Sequence, residues 1–396
     1  MSWPLVKLKK IGSFQAGNGF PSKYQGKEKG DYPFAKVGDS SSAARAGKKY
    51  LSSANNYVNQ EEVAEIKGKT IPVGSIVFAK IGEAIRQNFR TITSVEMLID
   101  NNCMALVPNR EVIDVDYLYF WMRQLDLYMY VGATTVPALR KSTLEDIEIP
   151  LPPLDEQKRI AAILDKADAI RQKRKQAIDL ADVFLRSVFL DMFGDPVTNP
   201  KGFPVGTIRD IVSTVNYGTS GKASETVGKF PILRMGNITY KGGWDFSDLK
   251  YIDLDDKDQD KYLARKNDLL FNRTNSKELV GKTAVFNESR PMAIAGYLIR
   301  VRTNELGNPW YISGYLNSVH GKQILLNMCK SIVGMANINA QELQDINILL
   351  PPVELQNKYE SIVKEVNERV SRHHESVKEL QVLFNSLSQK AFSGQL

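Results

Sequence analysis

The chain has 396 residues, of which 43% are hydrophobic and 24% charged, and a formal net charge of +7. It is too apolar for a disordered chain and too long for one small core, so two or three domains are expected. The charge is uneven: residues 1–90 hold 15 Lys and Arg against 7 Asp and Glu, and the rest is close to neutral, which suits either a polyanion partner or a solvated basic surface.

The opening MSWPLVKLKK lacks an apolar run of signal length and no long uncharged stretch follows, so a cytoplasmic protein without a membrane segment is expected. Residues 1–150 alternate short β-prone runs such as 75–79 with Gly, Asn and Asp turns and end in a helix-like stretch at 117–130; this predicts a mixed α/β domain. Segment 151–195 is different. Pro152 and Pro153 stop what precedes, Asp155 is placed to cap, and no Pro or Gly interrupts the 39 residues to Phe193, a helix of about 58 Å. Ile163, Ala167, Ile170, Arg174, Ala177, Ala181, Phe184 and Val188 follow a heptad along it. Off that seam, Ile178, Leu185 and Phe189 either form a docking surface or widen the core, and Arg171, Lys173, Arg174 and Lys175 form a solvated or phosphate-facing basic side.

Segment 196–349 returns to the first texture, with a strand-like run at 268–271 and a helix-like stretch at 310–329. Segment 350–396 is a second long helix, its heptad seam built from Val363, Val366, Val370, His373, Val377, Leu380, Phe384 and Leu387. Seams this narrow predict coiled-coil pairing, most simply of the two helices with each other. Cys103 and Cys329 are far apart in sequence and read as ordinary buried thiols.

The halves repeat. The stretch 32–39 (YPFAKVGD) returns as 230–237 (FPILRMGN), 74–80 as 267–273, and 151–157 (LPPLDEQ) as 350–356 (LPPVELQ). The offset drifts between 193 and 200 in the front segments and holds at 199 through the helices, because loops tolerate insertion and a packed helical register does not. The expected fold is α+β: two mixed α/β domains separated by two long helices in an antiparallel coiled coil, with pseudo-two-fold internal symmetry. Such a molecule could place one head on each half-site of a duplex, the helices acting as a ruler, with half-sites about one helical turn apart.

The stretch 149–160 (IPLPPLDEQKRI) entering the first helix and Met192, Phe193, Gly194, Asp195 and Pro196 leaving it carry a resemblance. So do 199–203 (NPKGF), 270–276 (LFNRTNS) and the final AFSGQL. Together they resemble the DNA-specificity subunit of Type I restriction-modification enzymes over the whole chain. The second copy departs from the pattern with Leu355 in place of Glu156 and Asn357 in place of Lys158. The resemblance implies a non-catalytic subunit with two target-recognition domains. Its partners would be double-stranded DNA, two methyltransferase (modification) subunits and, in the full complex, restriction/translocase subunits. The alternative is a coiled-coil protein-interaction adaptor without direct DNA binding.

The residues themselves point to no catalytic group, metal or cofactor. The FxGxG and (N/D/S)PP(Y/F/W) motifs of an adenine methyltransferase are missing, and Gly281-Lys282-Thr283 lacks the first P-loop glycine, Ser276 standing there. Base and phosphate contacts favour Arg, Lys, Asn and Gln. The candidates are Lys36, Lys80, Arg86 and Arg90 in the first head and Arg234, Arg273, Asn275 and Lys277 in the second. Lys36 with Arg234 and Lys80 with Arg273 are matched across the repeat.

Overall fold

The computed structural model describes residues 3–132, 135–332 and 335–396. In the first front segment the largely buried run Ile76–Ala79 pairs antiparallel with Thr91–Thr93 and with Cys103–Pro108, whose other edge carries Gly12–Ala16. A strand covered on both faces reads as a continuous apolar run, which made this one visible in sequence. Tyr32–Ala35 pairs antiparallel with Tyr57–Val58 and parallel with Leu98–Ile99. The second segment repeats the scheme: Leu269–Asn272 lies between Thr283–Val285 and Leu298–Thr303, and Val212–Tyr217 flanks the latter. Phe230–Leu233 pairs antiparallel with Lys250–Ile252 and parallel with Met292–Ile294. Short strand pairs tie off each segment, Leu5–Lys7 with Glu148–Pro150 and Val205–Thr207 with Asn347–Leu349. The architecture is α+β and internally duplicated, as expected.

Two helix-like stretches are shorter than the sequence predicted. The first is Val115–Gln124, capped by Asp114, and a 3-10 turn at Leu127–Tyr130 follows it. The second breaks at Ser318 into Pro309–Asn317 and Val319–Met328, because Ser318 takes extended backbone and its side chain accepts from Gly321 N. Serine competes with the helix by serving as a cap. Cys103 is buried, whereas Cys329 is half-buried and bonds through Sγ to Leu325 O at 3.0 Å.

The two long helices are Leu154–Phe193 and Val353–Ser393. The first starts two residues earlier than a cap at Asp155 requires, so Asp155 lies in its first turn, favourably near the positive end of the helix dipole. Among the described residues no helix is long and apolar enough to cross a membrane. The chain divides into two units, Met1–Lys175 with Glu375–Leu396, and Gln176–His374. In the first, Arg159 donates to Leu396 O (2.9 Å) and Arg171 to Gln381 (2.5 Å), so the two helical stretches run antiparallel. In the second, Phe189 and Phe193 at the end of one helix pack on Tyr359 near the start of the other.

The seam predicted for the second helix is turned inward throughout, from Val363 to Leu387. That of the first helix needs correction. Its inward stripe includes Gln157, Ile160, Leu164, Asp168, Arg171, Ile178, Leu185, Phe189 and Phe193, while Ile170 and Phe184 are 42% and 52% exposed. The apolar heptad misled because a charged group occupies the inward face: Asp168 accepts from Arg123 (3.1 Å), Arg171 (2.5 Å) and Gln172 (2.6 Å). Arg171 is therefore no part of a solvated basic side, and Phe189 widens the core instead of forming a docking surface.

The repeated LPP…Q motif has a structural cause. Gln157, fully buried, accepts from Asp114 N (2.7 Å) and donates to Val112 O (3.1 Å) and Pro152 O (2.8 Å). Gln356 does the same with Asn308 N (2.8 Å), Leu306 O (3.0 Å) and Pro351 O (2.8 Å). One amide thus fastens the start of each long helix to the N-terminus of the helix in its head. Tyr117 and Tyr311 donate to Pro150 O and Leu349 O, and Phe392 and Phe193 pack on them at 5.3 and 4.6 Å.

Candidate nucleic-acid interface

At one corner of each head, distant chain segments are tied by the same backbone hydrogen bonds. In the first head Asn18 N donates to Ile99 O, Asp100 N to Ala35 O, Cys103 N to Asp100 O and Lys80 N to Asn102 O. In the second, Thr219 N donates to Ile294 O, Ala295 N to Leu233 O, Leu298 N to Ala295 O and Arg273 N to Tyr297 O. Glycine is required at the crossing: a Cβ on Gly17 would sit 1.9 Å from Asp100 O, and one on Gly218 2.3 Å from Ala295 O. The next turn is closed alike, Lys36 N donating to Asp39 Oδ2 (2.7 Å) and Arg234 N to Asn237 Oδ1 (2.8 Å). The pairs Lys36/Arg234 and Lys80/Arg273, matched in sequence, thus stand at matching corners.

Their side chains are held differently. Lys36 donates to Gln25 (2.6 Å) and its Nζ lies 3.7 Å above the Phe20 ring, whereas Arg234 forms an ion pair with Asp248 (2.8 Å). The Arg273 guanidinium lies 4.8 Å from the centre of the Tyr217 ring. Asn275 follows on the strand Thr274–Asn275, its Oδ1 accepting from Ser276 N, and Lys277 is exposed in the next turn. The remaining first-head candidates lie elsewhere. Arg86 pairs with Glu83 (2.5 Å) over the Tyr128 ring, and Arg90 is 3% exposed, donating to Asn88, Phe89 O and Leu125 O. Burial pushes the Arg90 guanidinium down to about 9; its place is inside the head, facing no ligand.

Sequence reasoning missed the turns that complete each corner, 100–102 and 295–297, since nothing in their local sequence stands out. Asp100 is buried, its Oδ2 accepting from Asn102 Nδ2 (3.2 Å) while its Oδ1 has no partner. Tyr297 in the second head is 52% exposed and borders a cavity of about 900 Å³, lined also by Thr219, Arg234, Asn237, Asp248 and Lys250. Elsewhere in that unit Lys322 Nζ is buried without a hydrogen-bond partner, 5.0 Å from the Tyr240 ring. Burial, with Lys282 and Arg186 nearby, pushes it down to about 8.

Twice along the chain, at residues 2–180 and 200–381, it matches the family model described as the Type I restriction modification DNA specificity domain. The chain belongs to this family. Among relatives of the specificity family, the Type I restriction enzyme MjaIX specificity subunit of Methanocaldococcus jannaschii is 22% identical over 100% of this chain and 93% of its own length. The EcoKI specificity subunit of Escherichia coli is 25% identical over 65% of this chain and 60% of its own. The crystal structure of the S subunit of a Type I restriction-modification system from M. genitalium shares the fold, with a TM-score of 0.64, 14% identity and coverage of 99% of this chain and 96% of that one. The second copy's departures from the specificity-family pattern are accommodated locally: Leu355, in place of Glu156, packs against the core of its unit, and Asn357, in place of Lys158, accepts from Asn308 Nδ2 (2.8 Å).

Proposed function

We propose that this chain is the non-catalytic, sequence-specific DNA-binding subunit of a cytoplasmic Type I restriction-modification complex. Each target-recognition domain, 1–150 and 196–349, reads one half of an asymmetric bipartite site, and the helices of 151–195 and 350–396 set the spacer between the halves. Adenine methylation is supplied by two methyltransferase subunits, and cleavage by restriction/translocase subunits of the full assembly. The observation that carries this reading is a duplicated backbone frame presenting different side chains in the two heads, which suits two different half-sites.

Docking of two copies of one partner is supported by a second matched feature. Val183 and Phe184 on the first helix and Val382 and Leu383 on the second stand at equivalent repeat positions, and all four are exposed, Phe184 and Leu383 at 52% each. Solvated apolar pairs on otherwise charged helices suit a protein partner. The test is adenine-methylation mapping of DNA from cells with and without this chain, its methyltransferase partner being present. One asymmetric bipartite motif should vanish with the chain; unchanged methylation beside an active partner would overturn the reading.

A further inference from the structure

The repeat aligns two corners whose backbone bonding is the same and whose side chains are not. At matched positions the first head carries Lys36, Lys80, Asp100 and Asn102, and the second Arg234, Arg273, Ala295 and Tyr297. The cationic positions keep their charge across the repeat, as phosphate-facing groups would, since phosphate contacts position without specifying. The turn positions change chemistry altogether, from a carboxylate and an amide to a methyl and a phenol. A duplicated frame that preserves charge and varies the neighbouring polar group has the composition expected where two different base sequences are met.

Resting on the DNA-reading function above, we propose that Asn102 and Tyr297 are specificity-determining residues, each for the half-site read by its own head. Asn102 is exposed and its Nδ2 already donates to Asp100, which orients the amide and leaves its carbonyl outward. Asp100, itself buried, holds the amide from beneath, and the Asn102 carbonyl is an acceptor that fits the exocyclic amino group of adenine or cytosine. In the second head Ala295 stands where Asp100 holds the amide, and Tyr297 presents a ring at the rim of the cavity that Arg234 lines. A π-face at the rim of this cavity suits a base approached through its face or a thymine methyl.

The test uses the chain assembled with its methyltransferase subunits, and a panel of duplexes carrying each single base change in the mapped site, with binding read by fluorescence anisotropy at one fixed salt concentration. Asn102→Ala should lower discrimination at one adenine or cytosine position of one half-site by about 5- to 150-fold, the range of a single base contact. Tyr297→Ala should do so at one position of the other half-site, with Tyr297→Phe retaining most of it. Unchanged discrimination, equal loss at both half-sites, or both variants acting on the same half-site would overturn the proposal. Should an alanine variant fail to assemble, Asn102→Asp and Tyr297→Phe carry the same comparison: the first must shift preference at its position and the second must not. Failure of the unaltered assembly to bind any duplex would instead remove the function on which the proposal rests.

Discussion

Replacing Gln356 by alanine strips three backbone groups of their partner at once: Asn308 N and Pro351 O, both buried, and the partly buried Leu306 O. An orphaned buried group costs about 1–3 kcal/mol, with N–H groups at the upper end because a carbonyl has a second lone pair. Some of this is recovered where the shortened side chain admits water, so a net loss of about 3 kcal/mol is expected. For a unit of this size that corresponds to a fall in Tm of roughly 6–12 °C. Calorimetry gives the total, and amide hydrogen exchange localises it, since the Asn308 amide should lose its protection. A loss below about 1 kcal/mol, or an Asn308 amide as protected as before, would refute the claim that this side chain fastens the helix to the head. Gln157→Ala should act in the same way on the Asp114 amide.

Phe193→Ala removes a buried ring that packs on Tyr311, Tyr359 and Phe189, and should cost about 3–5 kcal/mol in a denaturant titration. Phe184→Ser combined with Leu383→Ser should leave stability within about 0.5 kcal/mol while weakening association with methyltransferase subunits, measured by size-exclusion chromatography. Lys322→Met should stabilise its unit in a pH-dependent way. Because the folded-state pKa of Lys322 lies near 8 and the ordinary lysine value is 10.5, the burial penalty is complete below pH 8 and fades as pH rises toward 10.5. The difference in Tm between variant and parent should therefore be largest below pH 8 and shrink above it.

The second long helix was legible residue by residue because its inward face is almost wholly apolar, so the heptad and the packing coincide. The first hid part of its face, since Asp168 and Arg171 lie inward, a placement that only the nearby Arg123 and Gln381 make tolerable. Those partners are 45 and 210 residues away, beyond the reach of local periodicity. The candidate interface followed the same rule. Lys36 and Arg234 could be matched because their strands repeat, whereas Asn102 and Tyr297 sit in turns whose importance comes from the strands they meet. Arg90 illustrates the converse: a basic loop suggested exposure, but carbonyl acceptors at 89 and 125 draw its guanidinium inside.

The packing of Phe392 on Tyr117 has a consequence during synthesis. The first unit is completed by Glu375–Leu396, so its core, including Phe120 against Phe384, lacks one wall while the intervening 176–374 are translated. At about 5–20 residues per second that interval lasts roughly 10–40 s, far longer than strand pairing or helix formation requires. The nascent first head must persist with an open apolar seam beside Ile160 and Leu164, a surface that chaperones would shield. The second unit, contiguous in the chain, can close as soon as its own residues emerge, so the half made later should be the first to reach its final form.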